Sequence, residues 1–432
     1  MTHFGEEFVR APAHLSLTPS QAGGVAAVPA VRDGAEHGLG EVRLLVKGQG
    51  TVGFAIAERA AFSVAIRSSR WDARAFRWDI GFDGVRLFER IDGEWRERAA
   101  SPDAGFNDPH GLDDESACVY WFSLDSHNGY LRYGKGEMRL RCALVEHRLM
   151  LKLPDSEDPG PDAWLRDAPT IHVSARINGN VDVWRDPVVV EPALLVIPHD
   201  EATMDGIAHG AVTVPANLTP TCQILYDNVA GKAFQLEKSE AFDFAAAIKA
   251  SIADPDGWCC KTLDHKAREF GSYDPLKTYL RITMGQNQGD SPGIPFVMEI
   301  WPVGHYSPIH NHGGADAVIK VLHGEITVDM YPMLSVHHQK PFARAMFAKG
   351  DVTWISPRLN QVHKLTNLGK DEPCITIQCY MYADNNLTHW RYFDYLAAAD
   401  VGHFDPNSDA DYLAFKAKMK DEWDNKYSKR PT

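Results

Sequence analysis

No run of about 18 apolar residues occurs in these 432 residues, so no helix long enough to span a bilayer is expected. The start, Met1-Thr2-His3-Phe4-Gly5-Glu6-Glu7, lacks the basic end and apolar core of a secretory signal, and the expected location is cytoplasmic. Basic charge is in short supply. Lys and Arg number 44 against 58 Asp and Glu, a formal net charge of -14, which repels phosphate backbones and anionic lipid. Neither nucleic acid nor a membrane surface is an expected partner. The seven cysteines (Cys118, Cys142, Cys222, Cys259, Cys260, Cys374, Cys379) form no Cys-x2-Cys pair and are odd in number, which argues for reduced, buried thiols over a disulfide framework or zinc knuckle. With 44% hydrophobic and 24% charged residues, the chain is globular material long enough for two or three cores.

Residues 1–235 read as a β-rich, sandwich-like domain. Alternating runs at 42–46, 51–56, 62–66, 85–88, 119–122 and 138–141 are separated by Gly, Asp and Asn turns, and two stacked antiparallel sheets would bury one face of each. The stretch 154–162 is too rich in proline and charge for regular structure and is expected as a loop or linker. Further strands are expected at 170–177, 181–184, 188–190, 193–197 and 224–226. Phe242, Phe244, Ala245, Ile248 and Ile252 recur near helical spacing behind a Ser239 cap, and a second helix is expected over 263–270.

The chemistry is concentrated later. Gly304-x5-His310-x-His312 is followed about fifty residues on by Gly350-x6-Pro357-x5-His363-x3-Asn367, a separation on the scale of one small β-barrel. His310 and His312 stand two apart, so on extended chain both side chains point the same way, and His363 from a later strand can complete a three-imidazole set on one metal ion. Such a set leaves positions open for substrate and dioxygen. Runs ending at Trp301-Pro302-Val303-Gly304, at Val318–Leu322 before His323-Gly324-Glu325, and at Val352–Ile355 before Pro357 read as strands closed by turns. His337-His338 is expected in a loop between barrel strands. Phe415, Met419 and Trp423, at four-residue steps, mark an amphipathic helix in 412–427 docked on the barrel or on a second subunit of a homo-oligomer.

The two histidine segments are similar to the paired motifs of the cupin superfamily. Tyr279-Leu280-Arg281, Trp301-Pro302-x-Gly304, Ser307-Pro308-Ile309-His310-Asn311-His312, Lys320-Val321-Leu322-x-Gly324 and Thr376-Ile377-Gln378-Cys379-Tyr380 together resemble the cysteine dioxygenase family of thiol dioxygenases, over roughly residues 255–395. The resemblance implies a mainly β protein. A cupin domain, a small antiparallel barrel or jelly roll, would occupy 236–400 after the amino-terminal sandwich, with a helical extension at 401–432. It also implies Fe(II) held by His310, His312 and His363, a small carboxylated thiol bound by Arg281 with Tyr279 beside it, and oxidation of the sulfur to a sulfinate by dioxygen. Tyr380 would reach the bound substrate, oriented by Gln378 or Thr376.

The departures from that family pattern bear on mechanism. Where the family sets Ser-His-Tyr, this chain has Thr376, Gln378 and Tyr380, and an amide cannot titrate near neutral pH. The position of the cysteine that some members cross-link to the tyrosine is Ala317. Most cupins add a glutamate with three or four residues between it and His-x-His, and Asp316 stands at the first of those spacings as a candidate fourth ligand. Were it one, a cupin enzyme acting on a substrate other than a thiol would be the better reading; a non-catalytic ligand-binding protein is the other alternative.

Overall fold

A computed structural model describes residues 13–17, 25–26, 38–44, 46–55, 60–68, 74–101, 110–113, 119–152, 156–174, 181–186, 191, 193–230, 234–284, 296–356, 362–381, 393–398 and 400–426. The strand expected at 188–190, Pro357 and Cys118 lie outside them. Chain contacts define two compact units, one of Arg10–Glu191 with His337–Phe342, the other of Met1–Val9, Pro192–Val336 and Ala343–Thr432.

The amino-terminal unit contains two sheets. One has six strands in the order Ala13–Leu17, Val181–Asp186, Gln49–Ala55, Val119–Asp125, Tyr130–Lys135, Ala143–Arg148; the other has seven, Val25–Ala26, Gly38–Arg43, Thr170–Ser174, Phe62–Arg67, Arg74–Gly81, Gly84–Ile91, Glu94–Ala100. All their pairings are antiparallel. Their inner faces meet through aromatic rings: Phe62 of the second sheet lies 5.5 Å from Tyr120 and 6.2 Å from Phe122 of the first, and Trp78 lies 6.2 Å from Tyr133. This is the stacked-sheet solution that the alternating runs required. The run 138–141 is an exception, since Leu140–Cys142 turns as a short 3-10 helix that buries Cys142 at the corner before the Ala143–Arg148 strand.

The second unit is a β-barrel with helices on its outside. Its main sheet has the order Leu195–Val196, Val352–Ile355, Asp316–His323, Cys374–Met381, Phe296–Trp301, Leu280–Met284, Ala410–Asp411, antiparallel except at the last pair. A three-stranded sheet, Ala343–Ala348, Glu325–Met330, His363–Thr366, and a two-stranded one, Phe393–Leu396 with Val401–Phe404, complete it. Gly324 makes the turn between Asp316–His323 and Glu325–Met330 at φ +70, where a Cβ would stand 2.5 Å from the Pro373 carbonyl oxygen.

Residues 193–230, expected with the sandwich, belong to this barrel unit. The expected strand at 224–226 is part of a helix, Pro220–Val229, whose start is fixed by Thr219: its hydroxyl accepts from the Cys222 amide at 3.1 Å and Pro220 occupies the first turn. Leu225 and Val229 from this helix cover Val318, Leu322 and Ile377 on the outer face of the main sheet. Each such side chain contributes roughly 1.5–3 kcal/mol by leaving water, enough to override the β propensity of Ile224 and Tyr226. The next helix runs over Phe244–Ala253 and is capped by Asp243, which accepts from Ala246 N at 3.0 Å; Ser239 instead closes a turn onto Phe242 N. The second helix lies at Trp258–Lys266, earlier than expected, because Cys259 and Leu263 form its buried face. The helix Tyr412–Lys426 docks Phe415, Met419 and Trp423 on Phe242, Phe244, Leu280 and Ile282 of the same unit.

Candidate metal centre

His310, His312 and His363 converge in the barrel. One ligand-capable atom from each lies within 4.8 Å of the others, and all three residues are buried. The backbone forces this meeting: His310 and His363 form an antiparallel bridge with both N–H to C=O bonds at 3.0 Å, while Asn311 N donates to Asp394 O at 2.9 Å and pins the residue between the two histidines. The stretch belongs to no regular strand but bridges from His310 to both His363 and Tyr395, and then turns at Gly313 and Gly314, both with positive φ.

The nitrogen geometry suits an ion. His310 Nδ1 donates to the Pro308 carbonyl at 3.0 Å, since a carbonyl only accepts, and this leaves Nε2 with its lone pair free. His312 Nε2 and His363 Nε2 stand 3.2 Å apart. Two imidazole nitrogens sharing one ion at about 2.0–2.1 Å each would stand roughly 2.8–3.4 Å apart at bond angles between square and tetrahedral. Burial without water pushes His310 down to about 4 and His312 further below its ordinary value, the latter helped by neighbouring His363, His310 and Arg281. Both imidazoles are therefore neutral at physiological pH, the form in which imidazole can bind a metal.

The opposite wall is polar, and the sheet register builds it. Arg281 pairs across to Glu299 and Glu299 to Thr376; Gln378 pairs to Val297 and Ile319, and Tyr380 to Ala317. Thr376, Gln378 and Tyr380, two apart on one strand, share a face with Arg281 and Glu299, and all five line a cavity of ≈ 60 Å³ together with the three histidines. At about 10–15 Å³ for each water-sized occupant, that is room for a small molecule of a few heavy atoms. Its remaining walls are largely apolar, with Phe393 and Phe404 against the histidines: Phe393 lies edge-on to His312 at 4.6 Å.

Tyr380 links the two sides. Its ring stacks on His312 at 5.5 Å and 24°, and the Arg281 guanidinium carbon lies 5.6 Å from the ring centre. Burial holds its phenol well above the ordinary range, so it is a proton donor at neutral pH. Tyr279 stacks on Trp301 at 4.3 Å and 13°, with Lys266 Nζ 4.9 Å from its ring centre; it too is raised by burial and lines the cavity. Thr376 Oγ1, Gln378 Nε2 and His312 Nδ1 are buried with no hydrogen-bond partner. The Gln378 amide still favours the charged form of Glu299, though its Nε2 reaches no partner at normal geometry. Orphaned polar atoms on a cavity wall are positions for a ligand or water to satisfy.

Asp316 is not part of this set. It precedes Ala317, whose parity faces the cavity, and so points to the other side of the sheet, where Thr219 Oγ1 and Cys222 Sγ donate to it at 3.1 and 3.3 Å. With burial opposed only by those neutral donors, its carboxyl rises to about 6. His337 and His338 belong to the other unit, as a loop.

One residue of the site was missed in the sequence, and another, Asn367 of the second histidine motif, has a role the motif did not show. Glu299 is a buried carboxylate in the run Phe296–Trp301, and its signal was a lone charge inside apolar residues. Asn367 is a clamp: its Nδ2 donates to Trp301 O at 2.8 Å and Glu372 O at 3.0 Å, tying together the turns that carry the two histidine motifs.

Residues 213–391 match the family model of cysteine dioxygenase type I, a cupin family. No curated protein matches the chain. Among solved structures, the DMSP lyase DddQ from Ruegeria pomeroyi is 18% identical, over 26% of this chain and 49% of that one, with a TM-score of 0.18. An oxalate oxidase in complex with the substrate analogue glycolate is 18% identical, over 25% of this chain and 53% of that one, with a TM-score of 0.20. A Cupin_2 domain of an XRE family transcriptional regulator from Enterobacter cloacae is 10% identical, over 24% of this chain and 97% of that one, with a TM-score of 0.20. The chain thus spans about half the length of the first two structures it matches. Among the described residues no helix is long and apolar enough to cross a membrane.

Proposed function

We propose that the barrel is a mononuclear non-haem iron dioxygenase that converts a small thiol bearing a carboxylate to its sulfinate. The observation that carries the reading is the all-imidazole cluster of His310, His312 and His363 facing a small cavity whose far wall holds Arg281 and Tyr380. Three neutral nitrogens would hold ferrous iron without cancelling its charge, and the chemistry it would supply is activation of dioxygen toward an anionic sulfur.

The chain's own groups do the rest. Arg281 presents a permanently charged planar fork to the substrate carboxylate. The Tyr380 phenol, whose ring stacks on His312 and lies under the Arg281 guanidinium at 5.6 Å, donates toward the reacting end of the substrate. Thr376 and Gln378 offer the orphaned hydroxyl and amide described above. Phe393 and Phe404 keep water from the histidines. The balance is one thiolate, one proton and one dioxygen to one sulfinic acid: the sulfur loses four electrons and dioxygen gains them, with both oxygen atoms retained in the product.

The test is product analysis under 18O2 with anaerobically iron-loaded protein. A sulfinate carrying label at both oxygens is expected. A disulfide product with hydrogen peroxide, or label at one oxygen, would exclude the reading.

A further inference from the structure

Arg281 is held from two sides. Its guanidinium pairs with Glu299 across the sheet, while its main chain is gripped by a single residue of the carboxy-terminal segment, Asp409. The Arg281 amide donates to Asp409 Oδ2 at 2.7 Å, and the Asp409 amide donates to the Arg281 carbonyl at 2.8 Å. Lys266 Nζ donates to the same Oδ2 at 3.1 Å and stands 4.9 Å from the ring centre of Tyr279, two residues before Arg281. The strand Leu280–Met284 has a full-length neighbour on one side only, Phe296–Trp301; on the other it meets Ala410–Asp411, two residues long. An edge of that kind leaves backbone groups open to water and the strand free to shift. Asp409 closes it at Arg281 itself, with one of its two bonds charge-assisted. It lies beyond the matched residues 213–391, in the segment that also sets Phe393 and Phe404 against the histidines.

We propose that Asp409, with Lys266 behind it, is a positioning residue for Arg281: it acts through the Arg281 backbone and sets where the guanidinium stands relative to the metal centre. The carboxy-terminal segment is then a working part of the barrel site and not an appendage to it. This rests on the reading above that Arg281 receives a substrate carboxylate, and it concerns what holds Arg281 there. Arg281 and Tyr279 line the cavity, whereas neither Asp409 nor Lys266 is among the described residues that do. Their effect on a ligand is therefore carried by the residues they hold. Lys266 and Asp409 are themselves largely buried, so their ion pair is shielded from the screening that weakens pairs on an open surface. A charge-assisted contact depends on the direction of the donor as well as its distance, and a strand that shifts by a few tenths of an ångström carries the guanidinium with it.

The experiment reads Arg281 directly and through binding. In full-length protein loaded with diamagnetic zinc in place of iron, the Arg281 Nε–H resonance, assigned by its loss in Arg281→Lys, should be a single sharp signal. Asp409→Ala should broaden or split it, and Asp409→Asn, which keeps an acceptor for the Arg281 amide, should restore it. A signal unchanged in Asp409→Ala, or already broad in wild type, overturns the proposal whether or not the protein oxidises thiols. In calorimetric titrations of anaerobic, iron-loaded protein, Asp409→Ala should weaken 3-mercaptopropionate about tenfold, the margin of one charge-assisted hydrogen bond, and leave 2-mercaptoethanol, which has no carboxylate, within about twofold. Placed in an Arg281→Ala background, Asp409→Ala should add no further loss. Equal weakening of both thiols, or a full additional loss in that background, would make Asp409 a general structural support and overturn the proposal. Should Asp409→Ala not fold, Lys266→Met, which takes the cation from the Asp409 carboxylate, is read in the same way. No binding or oxygen uptake with any thiol in wild type would remove the thiol reading, and the resonance alone then decides the role of Asp409.

Discussion

Each unit of this protein buries a cluster of charge, and the surroundings of the two clusters differ. In the sandwich, Lys135 Nζ lies 3.0 Å and His338 Nε2 2.5 Å from Asp113 Oδ2, and none of the three side chains has any exposure. Burial alone would raise the Asp113 carboxyl, but the hydrogen bond from His338 and the Lys135 charge outweigh it and hold the group at about 2. In the barrel, Arg281 and Glu299 form a comparable pair, but on a cavity wall next to a hydroxyl and an amide without partners. The Glu299 carboxyl moves the other way: burial raises it and Arg281 only partly offsets that. The sandwich cluster is sealed, with His338 Nδ1 left without a partner inside it, and contributes to holding its unit together, whereas a charged pair on a cavity wall is a place for a ligand.

The sharpest way to break this contrast is Lys135→Met. Removing one partner of a fully buried pair leaves an uncompensated charge and should cost about 3–5 kcal/mol in urea unfolding, with the metal content of the barrel unchanged. A loss under about 1 kcal/mol would mean that the cluster is not the stabilising element described here.

Proton linkage distinguishes two further carboxylates by sign. Asp113 titrates lower in the folded state, at about 2 against 3.8, so its contribution is full above the unfolded value and is lost as pH falls through the folded one. Asp316 titrates higher, at about 6 against 3.8, so its contribution is full at low pH and is lost as pH rises through 6. Each is of the order of 2–3 kcal/mol. In urea titrations against pH, Asp113→Asn should flatten the limb below pH ~4 and Asp316→Asn the limb between pH ~4 and ~6. Iron content in Asp316→Asn should equal wild type; its loss would return Asp316 to the ligand set.

The smallest of these effects concerns binding. Arg281→Ala should weaken a carboxylated thiol about 10- to 100-fold, the range for one charge-assisted contact, while iron content by metal analysis stays intact. Unchanged affinity would remove Arg281 from substrate recognition.

The histidines were legible because a two-residue repeat on extended chain and a second motif one barrel away carry geometry directly in spacing. Thr376, Gln378 and Tyr380 were legible for the same reason, since alternation puts them on one face. The face of Asp316 was not, because it depends on parity relative to strands that pair only in three dimensions: Ala317 meets Tyr380, and that contact decides which side Asp316 takes. Glu299 was hidden in an apolar run, and its meaning appears only when register sets it opposite Arg281. The helix Pro220–Val229 carried its Thr-Pro start signal openly, but Ile224-Leu225-Tyr226 has strand propensity, and only packing on Val318 and Ile377 settles the choice.

The role proposed for His310, His312 and His363 is to hold iron for the oxidation of a thiol. Its most direct test is dioxygen consumption by protein loaded anaerobically with ferrous iron and challenged in turn with cysteine, 3-mercaptopropionate, cysteamine and mercaptosuccinate, with His312→Ala as the blank. Uptake that depends on one of these thiols, and that falls by more than about 100-fold in His312→Ala, where even outer partners of metal ligands cost 10- to 100-fold, is the predicted result. No uptake from a fully iron-loaded sample, or uptake unaffected by His312→Ala, would contradict it.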